Sequence, residues 1–272
     1  MATASSDSED PVYLRRVQYR DDTNLGVRIS LHDRFSINQY GWHRWVFDQL
    51  SLEHDTRILE LGCGAGTLWL KNAARIPAQC RVTLSDFSHG MLESAHASLA
   101  RSGRQFALAV VDAQSIPFRA NSYDVVIANH MLYHVADRPR AFAEVHRVLR
   151  TGGRLYAATN GRGHLHQLAQ LLRRYAPDAQ SGLGTEEARF GLQSGMSQLQ
   201  HYFSDVRAIR YEDALRVTES EPVLDFLRST VARSALTDDV AAAMRIHVED
   251  EIAAHGAFLV TKDSGVLCGI KR

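Results

Sequence analysis

Short apolar runs alternate with segments of helical periodicity through the middle of this 272-residue chain. The strand-like runs lie at 57–61, 81–85, 106–111, 123–128 and 153–158. The helical segments between them lie at 67–76, 89–101 and 138–150. In the last of these, Phe142, Val145 and Val148 share one face, as a period of 3.6 residues requires. This alternation predicts an α/β fold, a doubly wound and mostly parallel sheet with helices on both faces.

The two ends of the chain depart from this alternation. We expect a helix at 35–50 and interpret residues 1–50 as an N-terminal extension or lid, with the polar stretch 1–10 disordered. Residues 51–272 would form the main domain, with cap insertions at about 160–204 and 212–255. Within the second half, the patterns predict helices at 164–175, 221–230 and 238–253, a loop at 176–195, and strands at 206–211 and 257–270. Asp263-Ser264-Gly265 predicts a hairpin turn inside the last strand.

A glycine-rich turn joins the first strand to the first helix of the sheet. Glu60 precedes Gly62, Gly64 and Gly66, so the backbone is bare where it must bend and can approach a ligand. The Gly-x-Gly-x-Gly spacing differs from the Gly-x-Gly-x-x-Gly dinucleotide fingerprint, and no lysine follows as in a phosphate-binding loop. The Glu60 carboxylate would repel a pyrophosphate, but it suits a cationic ligand.

Two acids follow the next two strand-like runs. Asp86 lies at the end of 82–86 and can accept hydrogen bonds from both ribose hydroxyls, although it could instead cap the next helix, as could Ser88. Asp112 ends the third run and can accept from an adenine amine, or it can be a simple turn residue. Together with the glycine turn, these positions predict a nucleoside site along the carboxyl ends of the strands.

Five segments carry a resemblance to a known family: 60–67, 86–91, 112–118, 123–134 and 144–153. They resemble the motifs of class I S-adenosylmethionine (SAM) methyltransferases of the small-molecule, ubiquinone-biosynthesis-like type. The resemblance covers about residues 55–160, and Thr151 stands where the family usually has proline. It implies a Rossmann-like, seven-stranded sheet, SAM as the cofactor, and methyl transfer to a small organic molecule.

The resemblance also implies roles for individual residues. Glu60 would lie near the methionine end of SAM, Gly62 and Gly64 beneath the cofactor, and the Asn129 carbonyl beside its amino group. In related enzymes the N-terminal segment often folds over the cofactor, which would bring in Tyr19 and Arg28, although both could belong to a solvated linker. The cofactor-binding set is therefore Tyr19, Arg28, Glu60, Gly62, Cys63, Gly64, Gly66, Asp86, Phe87, Met91, Asp112, Ala113, Asn129 and His130.

Methyl transfer from a sulfonium is an in-line displacement, and a base is needed only when the acceptor must lose a proton. His130 and His134 follow the fourth strand-like run and are the candidate catalytic bases, although either could simply pack against a loop. Asn129-His130-Met131-Leu132 is not the Asn/Asp-Pro-Pro-Tyr motif of enzymes that methylate DNA bases or glutamine. This absence argues against nucleic acid and glutamine as substrates. We expect a small organic acceptor, such as a bacterial natural product, that is methylated on oxygen or nitrogen in preference to carbon.

The composition argues against nucleic acid and membranes as partners. Lys+Arg and Asp+Glu number 31 each, so the chain has no global basic field that would hold nucleic acid. No apolar run approaches membrane-spanning length, and the start lacks the pattern of a signal peptide. Cys63, Cys80 and Cys268 have no paired spacing, which predicts reduced thiols and a cytoplasmic protein.

Two other functions are compatible with the sequence. A nucleotide-dependent oxidoreductase and a SAM-binding protein without transferase activity are the alternative functions. We expect Trp42 and Trp45 to belong to the core rather than to stack on a substrate. His164 and His166 are expected on a helix surface, and no metal site is predicted because further ligands at metal-binding spacing are missing.

Overall fold

A computed structural model describes residues 23–179, 181, 183–184, 186–230 and 235–272. These residues contain a seven-stranded sheet in the order β3-β2-β1-β4-β5-β7-β6. Its strands are β1 (Arg57–Leu61), β2 (Arg81–Asp86), β3 (Ala107–Val110), β4 (Tyr123–Asn129), β5 (Leu149–Asn160), β6 (Ser204–Val217) and β7 (Phe258–Ile270). The first five are parallel, and β7 runs antiparallel to both β5 and β6. The predicted doubly wound α/β fold is confirmed.

The helices predicted at 67–76, 89–101, 138–150, 164–175, 221–230 and 238–253 all form, with ends that differ by a few residues. The helices of the described residues are α1 (Thr23–Phe35), α2 (Trp42–Gln49), α3 (Thr67–Asn72), α4 (His89–Leu99), α5 (Arg138–Val148), α6 (His166–Tyr175), α7 (Glu186–Phe190), α8 (Leu192–Leu199), α9 (Glu221–Arg228) and α10 (Asp238–His255), with 3-10 turns at Ala73–Arg75 and Leu132–His134.

Two predictions about helices are wrong. A single helix at 35–50 does not form, because Ser36 leaves the end of α1 to bridge to Leu215 on β6. The expected loop at 176–195 contains α7 and the start of α8, whose Phe190 and Leu192 are fully buried. In both segments a tertiary contact outweighs the local composition.

Helices cover both faces of the parallel strands. Leu59 and Leu61 of β1 face one buried cluster and Ile58 faces the other, because successive side chains of a strand point to opposite faces. On the first face α5, α7 and α8 contribute to the cluster, with Phe142 at its centre. On the second face α2, α3 and α4 contribute, with Trp69 fully enclosed.

The last two strands continue beyond their neighbour in the sheet. β7 pairs with β5 only between Ser264 and Ile270, whereas its first half pairs with β6 alone. Residues 212–217 and 258–263 therefore form a two-stranded ribbon, here called the projecting ribbon, that extends past the carboxyl end of β5. The predicted hairpin turn at 263–265 is wrong, because these residues continue the strand.

A third buried cluster surrounds the projecting ribbon. Helices α1, α6, α9 and α10 contribute to it, through residues that include Leu31, Leu168, Leu224 and Met244. The ribbon adds Leu215 and Val260. The N-terminal helix α1 thus packs together with the two helical insertions. β6 continues to Val217, beyond the expected start of an insertion at 212, and the division of the chain into domain and cap remains a prediction.

Gly265 lets the sheet continue where a turn was expected. A Cβ atom at this position would lie 2.3 Å from the Ile209 carbonyl oxygen of β6. We predict that Gly265→Ala lowers the free energy of unfolding by about 1–3 kcal/mol, because the two strands must separate to admit the methyl group. Urea titration followed by circular dichroism measures this change.

Gly90→Ala is the matched control. Gly90 lies in α4, and its nearest contact for a new Cβ is the Ser88 hydroxyl at 3.8 Å. This control should be neutral or stabilise the protein by up to about 1 kcal/mol, because alanine favours a helix. Equal effects of the two substitutions would contradict the packing argument.

Candidate functional site

The site predicted from the sequence lies along the carboxyl ends of the parallel strands. The strand order runs from β1 to β2 and β3 in one direction and from β1 to β4 and β5 in the other. The loops that follow β1 and β4 therefore diverge, and a crevice opens between them, which is the usual ligand position in open α/β sheets.

The glycine turn occupies that crevice. Gly62, Gly64 and Gly66 have φ angles of 68°, 53° and 75°, in the left-handed region that favours glycine. A Cβ at Gly62 would lie 2.8 Å from Met131 Cβ, and one at Gly66 would lie 2.9 Å from a Leu99 methyl carbon. At Gly64 a Cβ would meet no atom within 4 Å. The turn is thus packed at both ends and open at its middle, where a ligand can lie on the backbone.

Asp86 holds the middle of this turn. One of its carboxylate oxygens accepts a hydrogen bond from the Gly64 N–H at 3.0 Å, and the other accepts from the Ser88 N–H at 2.8 Å. Ser88 caps α4, since its hydroxyl accepts from the Met91 N–H. Burial raises the pKa of Asp86. A carboxylate has about four acceptor positions, so both oxygens can still accept from a ligand's hydroxyl groups.

Glu60 lies beneath the same turn and is 2% exposed. Its carboxyl group accepts from the Trp69 indole N–H at 2.5 Å and from the Asn129 amide nitrogen at 3.0 Å. Burial raises its pKa to about 7, against the lowering effect of both hydrogen bonds.

Asn129 is left with one polar atom unsatisfied. Its amide nitrogen is used on Glu60, while its carbonyl oxygen is buried and has no hydrogen-bond partner in the described part of the chain. A buried acceptor beside an acid, next to an open stretch of backbone, fits a ligand that carries an amine. The residues present therefore fit the amino-acid end and the ribose of SAM.

The third strand end is arranged as a turn. The Asp112 carboxylate accepts from the Gln114 backbone N–H at 2.8 Å and also from its side-chain amide, so the turn interpretation of Asp112 is realised here. The backbone after β3 is hydrogen-bonded to the end of β2, because the Val111 N–H donates to the Asp86 carbonyl at 3.0 Å. Whether Asp112 also meets an adenine remains a prediction.

Other predicted cofactor residues differ in accessibility. Phe87 is 38% exposed at the edge of the site, whereas the side chains of Cys63, Met91 and Ala113 are buried. Cys63 supports the turn through its backbone, because its N–H donates to the Ser85 carbonyl at 2.9 Å.

Of the two predicted N-terminal residues, Arg28 alone lies within the described part of the chain. The Arg28 guanidinium donates to the backbone carbonyl and the hydroxyl of Ser229, and so it joins α1 to the end of α9. Tyr19 lies outside the described residues. A role of either residue in binding the cofactor remains a prediction.

Of the two candidate bases, His130 lies directly after Asn129, at the carboxyl end of β4. Its φ angle is 50°, which is unusual for a residue with a side chain, and its N–H donates to the Ala158 carbonyl at 3.0 Å. Burial lowers its pKa to about 4, so the imidazole is neutral at pH 7. His134 ends a 3-10 turn, and its ring packs edge-on against Tyr133 with centroids 4.6 Å apart.

The aromatic side chains ahead of β1 also border this region. The Trp42 ring lies 5.3 Å from the His130 ring and 5.4 Å from Trp45, and both tryptophans pack partly buried against the second core cluster. Tyr211 lies edge-on to Trp42, with centroids 5.3 Å apart.

The sequence did not predict that several polar residues lie near His130. His164 was expected on a helix surface, but it precedes α6. Its Nδ1 lies 3.2 Å from the Ser264 hydroxyl. His32 stacks on His164, and Lys262 forms an ion pair with Asp213. The local signal for His164 is the pair of glycines at 161 and 163, which marks a turn directly after β5. The others lie on α1 and on β6 and β7, where no local pattern indicates a site.

Residues 59–157 match a protein-family model described as a methyltransferase domain. This segment is a class I SAM-dependent methyltransferase domain. The family resemblance stated from the motifs is thereby confirmed, and the cofactor of this family is the one that the motifs imply. In the described part of the chain, no helix combines the length and the apolar character needed to cross a bilayer.

Two curated relatives share this domain. A demethylmenaquinone methyltransferase of Symbiobacterium thermophilum is 35% identical over 115 residues, which are 42% of this chain and 46% of the relative. A malonyl-[acyl-carrier protein] O-methyltransferase of Geobacter sulfurreducens is 36% identical over 112 residues, 41% of each chain. The chain thus spans less than half the length of these relatives.

The fold extends the similarity to the whole chain. Haemonchus contortus phosphoethanolamine N-methyltransferase 2, solved with S-adenosyl-L-methionine, superposes with a TM-score of 0.59 at 16% identity. The match covers 100% of this chain and 61% of that one. At this identity the likeness shows the fold.

The buried Glu60 predicts a specific dependence of stability on pH. Its pKa in the folded protein, about 7, lies above the ordinary value of 4.5, so the folded state binds this proton more tightly than the unfolded state. The contribution of Glu60 to the free energy of unfolding is therefore largest below about pH 4.5 and falls as the pH rises to about 7. Relative to Glu60→Gln, we predict that the wild type loses roughly 2–3 kcal/mol between pH 5 and pH 8.

Urea titrations of both proteins across this pH range measure the difference. Glu93→Gln is the control, because the Glu93 side chain is 72% exposed on α4 and its substitution should leave the pH profile unchanged. If the free energy of unfolding changed with pH in the same way in the wild type and in Glu60→Gln, the raised pKa of Glu60 would be contradicted.

Proposed function

We propose that this chain binds SAM and transfers its methyl group to an oxygen or nitrogen atom of a small organic molecule. The observation that carries the proposal is the unsatisfied Asn129 carbonyl oxygen, held by Glu60 beside the open middle of the glycine turn. Asp86 lies on the other side of the same turn and retains acceptor positions for ribose hydroxyls.

When bound, SAM supplies an electrophilic methyl group on a sulfonium, whose sulfur leaves without needing a proton. The chain's own residues would position the cofactor rather than activate it. Asn129 and Glu60 would hold the amino group, Asp86 would hold the ribose, and the backbone at Gly64 would lie against the ligand. Orientation and exclusion of water are the main sources of rate in such a displacement.

His130 can serve the acceptor side of the reaction. Its imidazole is neutral at pH 7 because its pKa is about 4. A hydroxyl oxygen becomes strongly acidic once it has bound the methyl group, so a weak base suffices to remove its proton at that stage, whereas a methylated amine can keep its proton as an ammonium.

The relatives do not decide the acceptor. By their names, one methylates demethylmenaquinone and another the oxygen of a malonyl group carried on a protein, so acceptors differ among similar domains. The balanced charge and the absence of a Pro-Pro-Tyr segment after Asn129 support a small molecule rather than nucleic acid. An oxidoreductase is disfavoured by the Glu60 carboxyl group beneath the turn.

Substitution of Asp86 tests the cofactor site. We predict that Asp86→Ala weakens the binding of S-adenosylhomocysteine at least about tenfold in calorimetry, because two charge-assisted hydrogen bonds to hydroxyls are lost. Asp86→Asn separates this effect from loss of the turn, because its one carbonyl oxygen can still accept from the Gly64 N–H. Asp239→Ala, at an exposed position of α10, is the control and should bind as the wild type does. Unchanged affinity in Asp86→Ala would refute the ribose assignment.

A screen with labelled SAM tests the transfer itself. The full chain is incubated with a library of phenols, amines, carboxylic acids and thiols, and we expect labelled methyl to appear in an acceptor, with S-adenosylhomocysteine as the second product. A chain that binds SAM yet forms no S-adenosylhomocysteine with any acceptor would instead be a SAM-binding protein without transferase activity.

A further inference from the structure

The sheet has two edges, and β6, which forms one of them, is protected against further pairing. Ser36 bridges to Leu215 on the outer side of β6, and the Ile37 N–H donates to the Ala214 carbonyl. Nearer the start of β6, Arg207 is exposed and the register against β7 shifts beside it. Charges and irregularities of this kind keep the edges of natural sheets from pairing with other chains.

β3 forms the opposite edge and is apolar. Residues 105–111 are Gln-Phe-Ala-Leu-Ala-Val-Val and contain neither a charged residue nor a proline. Leu108 is 37% exposed and Val110 is 52% exposed. Within the described ranges, no other segment pairs with the outer side of β3. An uncharged strand with a free edge is a surface on which another strand can pair.

The hydrogen bonding to β2 shows which backbone groups of this segment face outward. The Val111 N–H donates to the Asp86 carbonyl at 3.0 Å. Because the backbone groups of successive residues in a strand point to alternate sides, every second residue from Val111 is directed toward β2. Phe106, Leu108 and Val110 therefore direct their N–H and C=O groups away from the sheet.

These outward-facing residues are complementary to a second copy of the same strand. If two copies pair antiparallel about a two-fold axis at Leu108, Leu108 lies opposite itself and Phe106 lies opposite Val110. Each outward-facing residue then meets another outward-facing residue, which allows about six backbone hydrogen bonds. An interface that is complementary to itself closes after two copies.

The charges that flank the apolar segment are complementary in the same register. Arg104 of one copy comes opposite Asp112 of the other, and the two-fold axis repeats this pair. The Arg104 guanidinium donates to the Ala73 and Ile76 carbonyls, and Asp112 accepts from Gln114. Neither side chain forms an ion pair with another described residue. A pairing shifted by two residues would lose this match of opposite charges.

We propose that two copies of this chain pair through β3 and form a homodimer in which one sheet spans both copies. β6 remains the outer edge at each end of that sheet, so the assembly stops at two copies. The paired surface is a short strand edge, smaller than the interface of a permanent dimer. We therefore expect a dissociation constant of roughly 1–100 μM.

Substitution of Leu108 tests the pairing. Leu108→Lys places two ammonium groups opposite each other at the two-fold axis, and lysine is a residue by which natural sheet edges avoid pairing. Sedimentation velocity of the full chain between about 1 and 200 μM measures the equilibrium between monomer and dimer. We expect the wild type to dimerise as its concentration rises and the dissociation constant of Leu108→Lys to be at least about tenfold higher.

Leu259→Lys is the matched control. Leu259 is 59% exposed in β7, so a lysine there adds the same charge to a strand on the other side of the sheet. Its dissociation constant should equal that of the wild type.

Cysteine cross-linking tests the register. In the proposed pair the two Leu108 Cα atoms would lie about 5.5 Å apart, which is within the range of a disulfide. The two Val110 Cα atoms would lie roughly 14–15 Å apart, because each is opposite Phe106 of the other copy. Under mild oxidation Leu108→Cys should form a covalent dimer in non-reducing electrophoresis, whereas Val110→Cys and the wild type should not.

Several results would overturn the proposal. They are a wild type that stays monomeric at every concentration, a dimer that Leu108→Lys leaves unchanged, and a dimer that Leu259→Lys weakens equally. The absence of a cross-link in Leu108→Cys, or an equal cross-link in Val110→Cys, would also overturn it. Leu108→Cys introduces no charge, so the cross-linking result decides the case even if Leu108→Lys fails to fold.

Discussion

The buried carboxyl group of Glu60 is the constraint on which the rest of the site depends. An acid with 2% exposure inside a parallel sheet is costly unless donors surround it. Trp69 supplies one donor from α3 and Asn129 supplies the other from β4. The two ends of the glycine turn are therefore tied to the neighbouring strand through a single side chain. Because the Asn129 nitrogen is used on Glu60, its buried oxygen is left without a partner among the described residues.

A second constraint comes from the unequal lengths of the strands. β6 and β7 continue past the end of β5 as the projecting ribbon, and their ion pair between Asp213 and Lys262 binds Ser36 and Asn38. The chain just after α1 is further held by the hydrogen bond from the Ile37 N–H to the Ala214 carbonyl. Residues 36–38 are thus fixed to β6 and β7, and Trp42 lies beside them against Tyr211.

Features that depend on residues close together in the sequence could be predicted, whereas features that depend on distant contacts could not. The parallel strands, the glycine turn and Asp86 all lie in short segments whose pattern is set by local backbone needs, and the structure has them in place. The hairpin expected at 263–265 fails because pairing with β6 keeps the strand extended. The loop expected at 176–195 fails because Phe190 and Leu192 are needed to cover the sheet. Arg28 donates to Ser229, and its expected role in binding the cofactor remains a prediction.

The sequence by itself determined the fold class and the glycine turn, Glu60 and Asp86, to which we assign the cofactor. These features are built from consecutive residues at strand ends, so spacing along the chain is also spacing in the molecule. Only the tertiary structure decided which polar residues gather near His130. His32, His164 and Lys262 come from α1, the turn after β5 and the projecting ribbon, and no periodicity links positions so far apart. Their proximity depends on the register of β5, β6 and β7 and on the packing of α1 against α6, α9 and α10. Both are properties of the folded chain.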